Sequence, residues 1–127
     1  MARILIIDDN ADLRAVLKDA LTAEGHEVYL ASDGEQAFSL QSVRPADVVV
    51  TDVFMPGEDG LQTIARFRRD FPQAAIIAMS GANEHSIVML SLAQQLGAVG
   101  VLEKPFDLKR LAAAIKDVLA ERDDGGS

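Results

Sequence analysis

The sequence predicts an α/β domain built on an open, doubly wound parallel sheet. Three observations point there. Short continuous apolar runs alternate with helical stretches through five strand–helix units, and the links between them are short. Alternation of this kind argues for a parallel sheet with helices on both faces. The chain has 127 residues, and a closed eight-unit barrel needs about twice that length, so the sheet is open.

Each element has its own signal. Ile4-Leu5-Ile6-Ile7 is a continuous apolar run, as expected of a strand buried on both faces. Leu13, Val16, Leu17, Ala20 and Leu21 then share one face of a helix, with Asn10 or Asp9 able to cap it and Gly25 able to end it. Val28-Tyr29-Leu30 is the second strand. Gly34 to Val43 is a helix stopped by Pro45. Val48-Val49-Val50 is the third strand, ending at Thr51-Asp52, and Met55 to Gly60 is rich in turn residues and reads as a loop. Leu61 to Asp70 is a helix closed by Pro72. Ala75 to Met79 is the fourth strand, ending at Ser80-Gly81. Glu84 to Leu96 is a helix with Gly97 at its end, and Val99 to Leu102 is the fifth strand, ending at Glu103-Lys104-Pro105. The last helix carries Leu108, Leu111, Ala112, Ile115 and Leu119 on one face. Residues 1–121 form the expected domain, and residues 122–127 are a polar tail expected to be disordered.

Composition narrows the function. The net charge of −8 argues against a non-specific nucleic-acid binder and against docking on anionic lipid, both of which need a basic face. The chain has no cysteine, which excludes a disulfide scaffold, a thiolate metal site and cysteine catalysis. The apolar run near the N-terminus is too short for a signal peptide, and no run approaches the ~18 residues of a membrane span. A cytoplasmic location is expected.

The chemistry lies at the carboxyl ends of the strands, where open α/β sheets bind ligands. The first strand ends in Asp8-Asp9, the third in Asp52, the fourth in Ser80 and the fifth in Lys104. Parallel strands bring these ends to one edge. Three carboxylates gathered there repel one another unless a cation or a proton intervenes. Mg²⁺ suits an all-oxygen donor set, and nothing here offers the nitrogen or sulfur that zinc prefers. Lys104 supplies a point charge and Ser80 a hydroxyl donor, both suited to a phosphoryl group. Asp52 is left as a nucleophile able to form an aspartyl phosphate.

The residues Asp8-Asp9, Asp52, Met55-Pro56-Gly57 with Asp59-Gly60, Ser80-Gly81-Ala82 and Lys104-Pro105-Phe106 resemble the response-regulator receiver domain of bacterial two-component systems, in its stand-alone, chemotaxis-receiver-like form. The resemblance spans Arg3 to about Leu119. It implies a flavodoxin-like sheet in strand order 2-1-3-4-5 with five helices. It implies Asp52 as phosphoacceptor, Asp8, Asp9 and the carbonyl of Phe54 as Mg²⁺ ligands beside Asp52, Ser80 and Lys104 on the phosphoryl group, and a cis Lys104-Pro105 bond. A sensor histidine kinase or a histidine phosphotransfer protein is the implied partner. Val101 stands where many members carry an aromatic residue whose rotation reports phosphorylation, which puts that half of the readout in question. Phe54 and Ala82 hold the positions that tune phosphoryl lifetime.

Taken singly, these residues have plainer readings: a helix cap for Asp8-Asp9, a turn for Asp52 and Ser80, and a solvated side chain for Lys104. Their coincidence at four strand ends favours the site. Arg66, Arg68 and Arg69 read as a solvated helix face, His26 and His85 as structural, Met79 as core, and Phe38, Phe67 and Phe71 as packing. On the fourth helix, Met89, Leu92, Ala93 and Leu96 make one apolar face, with Ile87 opposite and Leu90 on the flank. That helix and the fifth strand, through Ile87, Leu90 and Val101, are the expected surface for a downstream protein target or a second copy.

Three functional classes compete. One is a phosphoacceptor switch, either terminal or passing its phosphoryl on to a histidine phosphotransfer protein; it catalyses only its own phosphorylation and dephosphorylation. The second is a Mg²⁺-dependent phosphatase with an aspartyl nucleophile. Such an enzyme often places an acid two residues after the nucleophile to protonate the leaving group, and here that residue is Phe54. The third, a flavin or nucleotide binder, needs a phosphate cradle after the first strand, where Asp8-Asp9 would repel it.

Overall fold

The computed structural model describes residues 2–55, 58–81, 86–105 and 107–125. In chain order the elements are β1 (Arg3–Ile7), α1 (Ala11–Ala23), β2 (Glu27–Ala31), α2 (Gly34–Val43), β3 (Val48–Asp52), β4 (Phe54–Met55), β5 (Glu58–Asp59), α3 (Gly60–Asp70), β6 (Ala75–Gly81), α4 (Ser86–Gln95), β7 (Gly100–Lys104) and α5 (Leu108–Gly125). Five strands pair in parallel in the order β2-β1-β3-β6-β7. This is the expected order 2-1-3-4-5, with the antiparallel pair β4–β5 set aside. That small pair replaces the loop expected after Asp52. Its strands are two residues each, too short for any apolar periodicity to announce them.

Side-chain alternation along the strands separates two cores. Ile4, Ile6, Val48, Val50, Ile77, Met79 and Leu102 pack with Leu17 and Leu21 of α1 and Leu111, Ile115 and Val118 of α5. Leu5, Ile7, Val49, Ile76 and Ala78 face the other way, onto Phe38, Ile64, Phe67, Leu90 and Ala93 from α2, α3 and α4. Phe38 and Phe67 stack with ring centroids 4.6 Å apart, and Phe71 joins them at 5.4 Å. Arg66 lies over the Phe38 ring at 3.8 Å and pairs with Glu35 and Asp70, so the arginine face of α3 is a solvated, ion-paired surface.

The helix starts use their caps. Asn10, Asp33 and Asp59 each accept a backbone N–H from the first turn of α1, α2 and α3, satisfying donors that a helix start leaves open. Gly60 is pressed against the chain just after Asp52: a Cβ there would lie 2.3 Å from the Val53 carbonyl oxygen.

Four expectations change. Val16 is half exposed and Leu108 is 41% exposed, because the contact stripes of α1 and α5 are narrower than their apolar patterns. Val118, which the pattern did not single out, is buried instead. Leu90 is not on a flank; it is only 8% exposed and belongs to the core with Ala93. Leu92 and Leu96 are turned outward with Ile87 and Val88. The pattern could not resolve this, since α4 has no charged residue to mark its wet side. The last helix also continues past Glu121 to Gly125. Pro56, Gly57, Ala82, His85 and Phe106 of the expected motifs lie outside the described residues, as do Gly126 and Ser127 of the tail.

Candidate functional site

The site is assembled by register. Asp8 continues the side of β1 that carries Ile4 and Ile6, Asp52 the side of β3 that carries Val48 and Val50, and Lys104 the side of β7 that carries Leu102. Alternation therefore aims all three toward the α1–α5 face of the sheet. Carboxylate oxygens of Asp8, Asp9 and Asp52 lie within 4.8 Å of one another. Asp8 is fully buried and Asp52 is 5% exposed, while Asp9 is open to solvent.

Lys104 reaches across the sheet into this cluster. Its ammonium donates to Asp8 Oδ2 at 2.7 Å and to Asp52 Oδ2 at 2.9 Å. The Lys104-Pro105 bond that precedes α5 is cis. The remaining oxygens of the two buried acids are held by backbone: the amide of Asn10 donates to Asp8 Oδ1 at 2.9 Å, and that of Phe54 to Asp52 Oδ1 at 2.8 Å. Burial pushes the Asp52 carboxyl above the ordinary carboxylate range, against the pull of Lys104 and the Phe54 amide, and the Asp8 charge adds to the rise. For Lys104, burial works against the charge, but its hydrogen bonds to Asp8 and Asp52 outweigh it and hold the ammonium above its usual pKa.

Ser80 is fully buried at the end of β6, with its hydroxyl on the carbonyl of Gly81 at 3.3 Å. It continues the opposite side of its strand, the one that carries Ile76 and Ala78. The four ionisable members of the predicted set thus meet, and the hydroxyl stands beside them directed elsewhere. The side chain of Phe54 is 39% exposed and brings no acid to the site. Val101 is half-buried against the α2–α3–α4 core. His26 accepts the Ala2 amide through Nδ1 at 3.2 Å, a structural role.

Two contacts were not foreseen. Arg14 donates to the backbone carbonyl of Asp8 at 2.6 Å, and Ser86 Oγ donates to Glu103 at 3.3 Å. Arg14 stands one helical turn past the Asn10 cap, which is the only sequence signal that it faces back toward β1.

The donor set fits a hard divalent cation. It is made of oxygens, clustered closely enough for shared ligation, and carries more negative charge than one ammonium balances.

The family model described as response regulator receiver domain matches residues 4–116. The DNA-binding transcriptional regulator NtrC of Azospirillum brasilense is 36% identical over 118 residues, covering 93% of this chain and 24% of that protein. A probable chemotaxis protein CheY of Rhizobium etli is 35% identical, covering 91% of each. The crystal structure of a response regulator receiver domain protein from Clostridium thermocellum superposes with a TM-score of 0.88 at 28% identity, over 97% of this chain and 98% of that one. The chain spans about a quarter of the NtrC regulators and half of the CpxR regulators that it matches.

Proposed function

The chain belongs to the response regulator receiver domain family, and from that premise we propose that it is a phosphoacceptor switch of a two-component system, with Asp52 as the acceptor. The observation that carries the proposal is the contact of Lys104 with both Asp8 and Asp52, at 2.7 and 2.9 Å, inside a three-carboxylate cluster. The receiver unit, whose last helix runs to Gly125, is assigned to the cytoplasm.

The chemistry follows from the arrangement. A Mg²⁺ ion held by Asp8, Asp9, Asp52 and the Phe54 carbonyl would neutralise charge on the phosphoryl oxygens. An Asp52 carboxylate oxygen attacks phosphorus in line. The new O–P bond forms as the P–N bond of a histidine-borne phosphoryl group breaks, and the departing imidazole takes up a proton. Lys104 moves its ammonium from the acids to a phosphoryl oxygen, where charge develops. Ser80 turns its hydroxyl from Gly81 to another. The domain therefore catalyses only its own phosphorylation and dephosphorylation. An apolar Phe54 two residues after Asp52 gives no acid for phosphatase turnover.

The output surface is assigned to α4 and β7. Ile87 is 76% exposed and Val88 60%; they replace the buried Leu90 as the residues to test. Replacing both with Ser is expected to weaken binding of a downstream protein or self-association, with the fold intact. Unchanged association would rule this surface out. Relay onward to a histidine phosphotransfer protein is tested by transfer of label from the phosphorylated chain.

The central test is incubation with a small phosphodonor, with and without Mg²⁺, followed by intact mass. The expected result is one added phosphoryl group that requires the metal and is absent from Asp52→Ala. Equal uptake by Asp52→Ala, or none by the wild-type chain, overturns the assignment.

A further inference from the structure

We propose that Arg14 is a positioning residue that locks the turn between β1 and α1, and that this lock sets the acidic site's preference for Mg²⁺ over larger divalent cations. The inference rests on the reading of Asp8, Asp9 and Asp52 as a cation site.

Asp8 is held at every polar atom. Its amide donates to the Ala31 carbonyl at 3.1 Å. Its Oδ1 accepts from the Asn10 amide at 2.9 Å and its Oδ2 from Lys104 at 2.7 Å. The fourth atom, the carbonyl oxygen, accepts from Arg14 Nη1 at 2.6 Å. Three of these ties are made by strand neighbours, by the turn itself or by a side chain the reaction must move. The Arg14 tie alone joins the strand end to the body of α1. Asn10 caps that helix through Leu13, and the Arg14 amide donates to the Asn10 carbonyl at 3.0 Å. The guanidinium thus closes a small ring: strand end, cap, first helical turn, and back to the strand end. Asp9 sits inside the ring with no side-chain contact of this kind among the described residues; its direction is set by the turn.

Mg²⁺ and Ca²⁺ ask different things of such a turn. Mg²⁺ demands near-ideal octahedral geometry at about 2.1 Å, whereas Ca²⁺ accepts six to eight oxygens at about 2.3–2.6 Å in adaptable arrangements. A loosened turn therefore penalises Mg²⁺ more than Ca²⁺. The charge of Arg14 acts the other way. A cation beside the acids opposes any second cation, and removing it favours both divalent ions equally by Coulomb's law. The ratio of the two affinities cancels the charge and isolates the lock.

The experiment is calorimetric titration of the full chain with Mg²⁺ and with Ca²⁺ at fixed ionic strength, for wild type and Arg14→Met. The variant keeps the apolar stem and removes the donor. Hydrogen-bond partners that hold metal ligands in place are worth about 10–100-fold in affinity; the low end of that range, borne by Mg²⁺ and not by the more adaptable Ca²⁺, lowers the Mg²⁺-to-Ca²⁺ affinity ratio about tenfold. A ratio within about twofold of wild type, or a loss shared equally by both ions, overturns the proposal. Should Arg14→Met fail to fold, Arg14→Lys is read by the same criterion, since it keeps the charge and loses the reach and fork of the guanidinium. If the wild-type chain binds neither ion, the cation site itself is wrong, an outcome distinct from an unchanged ratio.

Discussion

The two rims of the sheet handle polar atoms in opposite ways. At the amino-end rim side chains close the backbone ends, and Arg3 Nε, the buried side-chain nitrogen left without a hydrogen bond among the described residues, lies 3.5 Å from Glu27. Asp47 Oδ2 accepts the Arg3 amide at 2.9 Å, and His26 accepts the Ala2 amide. Buried Gln41 both accepts from the Ala46 amide at 2.9 Å and donates to its carbonyl at 3.3 Å. These side chains close backbone groups that a strand end would leave open. At the carboxyl-end rim three acids cluster, and two of them, Asp8 and Asp52, share one ammonium. One rim is sealed and the other is left with surplus negative charge. Surplus charge costs stability, and its presence at a single edge marks where the molecule does its work.

Gln41→Ala should give the largest change. It strips a buried N–H and a buried carbonyl of their partner, for a loss of about 2–4 kcal/mol in chemical unfolding, with phosphoryl uptake unchanged. If uptake falls with stability, the rims are not independent. Lys104→Met should cost about 1–3 kcal/mol in the presence of a chelator, because it leaves buried charge unbalanced. Added Mg²⁺ should recover part of that loss, which thermal unfolding with and without the ion measures. Asp52→Asn should do the reverse. It keeps the shape and removes one of the crowded charges, so stability in chelator should hold or rise by up to about 1 kcal/mol. A clear fall would mean that the rim is balanced after all.

The pH dependence gives the smallest effects, with signs fixed by the shifts. The Asp52 pKa is raised on folding, so its ionised form weakens the fold above the folded pKa. That penalty is relieved as pH falls through the folded value toward the ordinary 3.8. Phosphoryl uptake needs the carboxylate and should fade over the same descent. The Lys104 pKa is also raised, so its contribution is fully present below 10.5 and is lost as pH climbs through the folded value. Unfolding midpoints between neutral and strongly alkaline pH should show that loss in wild type and not in Lys104→Met.

Much of this was legible beforehand. Ile4 to Ile7 and Val48 to Val50 have the continuous apolar character of strands buried on both faces, and Asp8 and Asp52 follow them directly. Once the strands are parallel, the meeting of Asp8, Asp52 and Lys104 follows from alternation alone. What was not legible depends on side-chain direction. Leu90 and Leu92 are both apolar on a helix without charges, and only packing decides that the first is core and the second is not. Ser80 has the right position, but its hydroxyl can rotate between partners, and position does not choose one. Arg14 lies on a helix whose face toward β1 is known only when the helix is docked.

The close approach at Gly60 bears on how Asp52 can be inherited. No side chain, not even a methyl group, fits between the start of α3 and the Val53 carbonyl. The surroundings of the acceptor are thus fixed partly by atoms that are missing. Any drift in sequence at this spot would lever the helix away from the strand end, and with it the amide that Phe54 lends to Asp52. The contact leaves no room for a Cβ at a position that contributes nothing to the reaction, a constraint of shape that a search for reactive groups would pass over.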